Sequence, residues 1–200
     1  MRTKLLCLLL SVIGLCSCSS TSAPKHPQTS NATPRKSLVV FFSWGGNTRA
    51  VAEKISYLTG AEGFELKLAV PYTTDRDEIE EIAKREVRDK YKPELASLPQ
   101  NIEQYDVIYI GSPCWFNTLA PPVRTFLSTV DLSGKKIVPF MTHGGSRMGQ
   151  SVQTIRRLAT KANVTEGLAI RESNASNADN EILAWLKNCL LYTSPSPRDS

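Results

Sequence analysis

Residues 38–49 read Leu-Val-Val-Phe-Phe-Ser-Trp-Gly-Gly-Asn-Thr-Arg, and this stretch decides the architecture. Leu38 to Phe42 is an unbroken apolar run, without the alternation of a half-wet strand, so it reads as a strand buried on both faces. It passes through a Gly-containing turn straight into residues 48–59. There Val51, Ala52, Ile55 and Leu58 recur at helical spacing, and Gly60 supplies a C-cap. The same alternation continues to residue 188. Further strands are predicted over 64–70, 106–111, 137–141 and 166–170, and further helices over 75–90, 122–129, 149–162 and 177–187. Helices interleaved with strands in this way predict an α/β domain, a doubly wound five-stranded parallel sheet with helices on both faces. In such sheets ligands bind beyond the carboxyl ends of the strands, where the strand order reverses. The loops after the first, third and fourth strands are therefore where chemistry is expected.

Outside that stretch, charge and cysteine are unevenly distributed along the chain. The chain of 200 residues has a formal net charge of +5, five Cys and 41% hydrophobic residues. That apolar fraction excludes wholesale disorder, and the modest Pro and Gly content excludes collagen-like sequence. The positive charge, taken whole, would suggest nucleic acid or an anionic membrane surface. Residues 1–18 place Arg2 and Lys4 before an apolar run from Leu5 to Leu15, too short to span a bilayer as a mature helix, so they read as an export signal. Leu15-Cys16-Ser17-Cys18 resembles the bacterial lipobox, which implies cleavage before Cys18 and lipidation of that residue; plain secretion is the alternative. The expected location is outside the cytoplasm, held to a bacterial membrane by lipid. With only Arg2 and Lys4 in the basic region there is no twin-Arg motif, which points to Sec export and cofactor loading after translocation.

Residues 19–37 are rich in Ser, Thr and Pro and read as a flexible tether. Residues 189–200, Cys-Leu-Leu-Tyr-Thr-Ser-Pro-Ser-Pro-Arg-Asp-Ser, look like translated cloning sequence and are set aside as a non-native tail. Arg2 and Lys4 in the leader and Lys25, Arg35 and Lys36 in the tether carry the entire charge excess, so the domain at 38–188 is neutral. No nucleic-acid partner is expected. Only Cys114 falls within the domain, which leaves no disulfide and no Cys-based metal site there.

The loop after the first strand is Ser43-Trp44-Gly45-Gly46-Asn47-Thr48. It lacks both the Lys of a P-loop and the spacing of a dinucleotide fingerprint. It offers two glycines, two hydroxyls, an amide and the free N–H groups of a helix start, which together suit a phosphate dianion without a cation. A simple Gly-rich turn capped by Thr48 is the other reading. After the third strand, Ser112-Pro113-Cys114-Trp115-Phe116-Asn117 sets two aromatic rings in a polar loop, good neighbours for a planar ligand or a cover for the sheet edge. Cys114 reads as a packing residue, having no second Cys nearby. After the fourth strand comes Thr142-His143-Gly144-Gly145-Ser146-Arg147. His143 is the only His of the domain, so a multi-His metal site is excluded. It reads either as a ligand contact or as a solvated loop residue.

These loops resemble those of the flavodoxin family. Ser-Trp-Gly-Gly-Asn-Thr-Arg is similar to its phosphate loop, and Gly-Ser-Pro-Cys-Trp-Phe-Asn-Thr-Leu-Ala-Pro-Pro-Val-Arg-Thr-Phe-Leu and Pro-Phe-Met-Thr-His-Gly-Gly-Ser extend the likeness across 38–188. Gly45 stands where many relatives have Ser, removing one hydroxyl. The resemblance implies a flavodoxin-like sheet of order 2-1-3-4-5 and FMN as cofactor. It implies that Ser43, Trp44, Gly45, Gly46, Asn47 and Thr48 hold the phosphate. Ser112, Pro113, Cys114, Trp115, Phe116 and Asn117 form one flavin loop, and Thr142, His143, Gly144, Gly145 and Ser146 the other; Arg147 is a candidate stabiliser of the reduced flavin. No protein nucleophile and no metal are expected, since the flavin is the reactive group. The implied role is electron transfer with a redox partner protein or a small-molecule donor or acceptor. An FMN-dependent NAD(P)H:quinone-type reductase is a second reading, and a flavin-free binding module on the same fold a third.

Overall fold

The computed structural model describes residues 36–191; the leader, the lipobox and Cys18, most of the tether, and all of the tail after Leu191 lie outside the described residues. The Leu38–Phe42 run forms the strand on which the sheet is organised. β1 (Ser37–Phe41) pairs in parallel with β2 (Glu62–Glu65) on one side and β3 (Val107–Trp115) on the other. β5 (Lys136–His143) follows β3, again in parallel, and two short strands, β6 (Asn163–Val164) and β7 (Leu168–Arg171), both pair with the outer side of β5. The order is β2-β1-β3-β5-β6 with β7 in line with β6, the doubly wound order that the resemblance implies.

Burial on both faces is what made the apolar run readable. Leu38, Val40 and Phe42 enter one core with Ile108, Ile110, Ile137 and Met141, against Val123, Phe126 and Leu127 of α3 (Pro121–Thr129) and Ile155 of α4 (Ser151–Leu158). Val39 and Phe41 enter the other with Tyr109, Val138 and Phe140, against Val51, Ala52 and Ile55 of α1 (Asn47–Thr59) and Ile182 and Leu186 of α5 (Asp179–Leu191). Each fully buried aliphatic or aromatic side chain contributes about 1.5–3 kcal/mol, so the alternate residues of one strand drive helix packing on both faces at once.

The structure departs from the expected elements in ways that have local causes. The alternation over 64–70 is real in burial, with Leu66 and Leu68 buried, but pairing with β1 stops at Glu65, and Leu68 bridges instead to Leu95 in antiparallel fashion. The last ladder bond is Leu66 N–H to the Phe41 carbonyl, 2.7 Å, beyond which β1 has turned away into its loop. The fifth strand, expected over 166–170, is split. Lys136–Ile137 pair with Asn163–Val164, but Phe140–His143 pair with Leu168–Arg171, a register advanced by one residue. Ile137 accepts the Thr165 N–H on this side of β5, and Pro139, two residues on, faces the same way and has no N–H to offer. The outer strand bulges past the missing donor. α4 ends at Leu158 because the chain must turn into β6, and α5 runs on to Leu191, past the expected boundary at 188. Cys189, set aside with the tail, sits in that helix and packs against the second core. The Lys136 ammonium donates to its carbonyl at 3.0 Å.

Candidate functional site

The carboxyl ends of β1, β3 and β5 open into a cleft of about 520 Å³, within the range of small-molecule sites. Its floor is the turn after β1. Gly46 adopts φ 89°, a left-handed conformation that L side chains rarely take, and this delivers the chain into α1. The Gly46 N–H donates to Ser43 Oγ at 3.1 Å, and its carbonyl accepts the Ala50 N–H. No side chain caps the helix, so the N–H groups of its first turn are left to a ligand or solvent. A Cβ built at Gly45 or Gly46 would meet nothing within 4 Å, so the backbone here is open to close approach. Thr48 turns inward: its hydroxyl shares a 2.7 Å hydrogen bond with that of Thr142, tying α1 to the end of β5. Trp44 lines the cleft while its indole N–H donates to the Thr73 carbonyl at 2.8 Å, so this loop holds the segment leading into α2 (Arg76–Arg88).

One wall comes from β3, which runs further than the sequence suggests. Residues 112–115, read as loop, continue the strand and fold back as an antiparallel hairpin onto β4 (Thr118–Leu119). The two turn residues, Phe116 at φ 44° and Asn117 at φ 67°, both lie in the left-handed region, which identifies a type I′ turn. Trp115 is half-buried, its ring 5.8 Å from Phe42 and 5.9 Å from Tyr72, so the wall is anchored in the core, while Phe116 is 44% exposed at the rim. The opposite side is the turn after β5. Arg171 donates to the Gly144 carbonyl at 3.0 Å, and the Glu172 carboxylate lies over Gly144.

Ser43, Trp44, Gly45, Asn47, Thr48, Pro113, Cys114, Trp115, Phe116, Thr142 and Gly144 line this one cleft. The others are placed differently. Gly46 serves through its backbone conformation. Ser112 is fully buried; its hydroxyl accepts the Ala120 N–H and donates to the Pro113 carbonyl, both 2.8 Å, and so braces the hairpin against α3. Asn117 faces α4, its carbonyl accepting the Gln150 N–H at 2.8 Å. His143 is not a solvated loop residue. It ends β5 at 8% exposure, with Nδ1 buried and without a hydrogen-bond partner. Burial, then the charges of Arg171 and Arg147, push its imidazole below the usual value, with Glu172 opposing. Gly145 and Ser146 are exposed beyond the cleft, and among the described residues Cys114 and Cys189 are free thiols.

The sequence reading missed the fourth side. Arg76, Ile79, Glu80 and Ala83 of α2 line the cleft, as does Glu172 after β7. Ile79 and Ala83 carried a signal, the apolar stripe of α2, but a stripe does not reveal which end of the sheet it covers.

A family model for flavodoxins matches residues 36–189. The chain belongs to the flavodoxin family. Among solved structures, this flavodoxin is similar to a candidate flavoprotein from Bacteroides eggerthii, at 32% identity and a TM-score of 0.68 over 76% of this chain and 96% of that one. A candidate flavoprotein from Bacteroides uniformis follows at 25% and 0.67, over 76% of this chain and 98% of that one. A Lactobacillus acidophilus flavoprotein, solved in complex with FMN, matches at 28% and 0.62, over 76% of this chain and 99% of that one. No curated protein matches the chain.

Proposed function

We propose that this flavodoxin binds FMN in the cleft and acts as an electron carrier. The observation that carries the reading is the convergence in one cleft of an uncapped, glycine-open helix start with an aromatic wall. The first suits a phosphate and the second a flat ring. Ser43, Gly45, Asn47, Thr48 and the first N–H groups of α1 would hold the phosphate, with Trp44, Trp115 and Phe116 against the flavin. The FMN complex of the Lactobacillus acidophilus relative supports the assignment. FMN, when bound, supplies the capacity for one- and two-electron transfer; the chain supplies binding, orientation and the local field. The buried Thr48–Thr142 bond fixes the phosphate loop relative to the turn after β5, and Phe42 N–H to the Gly111 carbonyl, 3.1 Å, fixes it relative to the aromatic wall. The test is to purify the full chain and record its visible spectrum with and without added FMN. A yellow protein with a quenched, stoichiometric flavin is expected; a colourless protein that leaves added FMN free in solution overturns the reading.

Carrier is favoured over reductase because, among the described residues, only residues 165–167 separate β6 from β7, with no long insertion in the final strand region to build a nicotinamide pocket. Oxidation of NAD(P)H by a quinone at a steady catalytic rate would reverse that preference. Export and lipidation at Cys18 are part of the same proposal, supported by Arg2, Lys4, the apolar run and the lipobox-like Leu15-Cys16-Ser17-Cys18. Labelled palmitate incorporated by the full chain but not by Cys18→Ser is the expected result.

A further inference from the structure

The loop at 43–48 contains no cation, Arg49 just beyond it is paired with Glu65 at 2.6 Å, and the cleft receives a cation from another element. Trp44 ties the loop after β1 to Thr73 through its indole N–H, 2.8 Å, and this holds the start of α2 beside the phosphate loop. Arg76, the first residue of α2, lines the same cleft as Ser43, Gly45, Asn47 and Thr48. It makes no ion pair and no side-chain hydrogen bond among the described residues. Its position also has no helical rationale. Asp75 caps the helix through the Glu78 N–H and Asp77 and Glu78 complete an acidic first turn, as the helix dipole favours, whereas a cation there opposes the dipole. The cleft acids do not claim it: Glu80 forms no pair with it, and Glu172 sits over Gly144 on the far turn.

We propose that Arg76 is the cation of the phosphate site, so that α1 presents N–H groups and α2 presents a guanidinium to the same phosphate. A guanidinium to phosphate contact is charge-assisted, and a forked donor suits the oxygens of a phosphomonoester. The inference rests on the FMN reading above. It is separated from that reading by comparing FMN with riboflavin, which has the ring and no phosphate. Flavin-fluorescence titrations of the full chain and of Arg76→Gln, at low and high salt, are the experiment. Arg76 is exposed, so the expected loss is moderate: FMN binds about 5- to 10-fold more weakly to Arg76→Gln, with riboflavin within about twofold. The salt dependence of FMN binding falls in the variant, and Arg76→Lys recovers part of both effects. Equal changes for the two flavins, or none for either, overturn the role of Arg76 while leaving the FMN reading standing. A full chain that binds neither flavin overturns both.

Discussion

Gly111 sits at a closely packed point of the sheet, and replacing it by Ala tests how the sheet and the cleft are joined. A Cβ there would lie 2.2 Å from Phe140 Cζ, 2.5 Å from Phe140 Cε2 and 2.8 Å from Phe41 Cβ. Ordinary contact begins near 3.4 Å, so the Phe140 ring would have to retreat by more than an ångström. It has nowhere to go: Phe140 is fully buried, between α1 and α5. Phe41 Cβ is fixed to its own backbone and moves only if β1 moves. Overpacking in a closed core costs about 1–3 kcal/mol, and this two-sided clash belongs at about 2–4. For a chain of this size that lowers Tm by roughly 5–15 °C. Urea unfolding followed by circular dichroism reads it directly, and the slope should stay unchanged if only the native state is affected. Phe140→Leu in the same chain removes the ring clash. The double variant should then be at least about 1 kcal/mol more stable than the two single losses added together. Gly111→Ala within about 0.5 kcal/mol of the parent, or strict additivity with Phe140→Leu, would refute the packing argument.

Other expectations follow from the same geometry. Thr142→Val strands the Thr48 hydroxyl in a buried place and should cost about 1–2 kcal/mol, with Thr48→Val/Thr142→Val costing less than the two singles together; thermal melts of all three decide it. Phe116→Asn exchanges rim contact for relief of a strained left-handed aromatic, so stability should stay within about 1 kcal/mol while FMN affinity drops about 3- to 10-fold; flavin titration beside urea melts separates the two. His143 has its folded pKa below the ordinary 6.5, so the unfolded chain takes up the proton first. Its contribution is fully present above pH 6.5 and is lost as pH falls from there through the folded value; His143→Gln should flatten that part of the stability profile.

Much of this was legible in the sequence, for identifiable reasons. Leu38–Phe42 announced a central strand because burial on both faces leaves no polar position to alternate with. Gly60 announced a helix end because it is held at φ 69°, a left-handed cap. The loop after β1 could be placed at the ligand end of the sheet because it follows a buried strand and opens a helix, and Ser43, Trp44, Gly45, Asn47 and Thr48 line the cleft there. What failed depended on contacts between distant residues. Ser112 looks like any loop serine until its hydroxyl is seen closing on the Ala120 N–H. Pro139 did not reveal that it would split the neighbouring strand, because the missing N–H matters only once the partner is in place. The cleft face of α2 was invisible because periodicity gives a buried stripe but not what lies opposite it.

The split outer strand has a consequence for how the molecule meets others. At one margin of the sheet β2 offers four residues, and at the other β6 and β7 offer two and four with a bulge between them. Among the described residues, neither margin presents a long, straight row of free N–H and C=O groups onto which another chain could add as a strand. Pro139, by interrupting the pairing of β5 with its outer neighbours, shortens the row that such an addition would need.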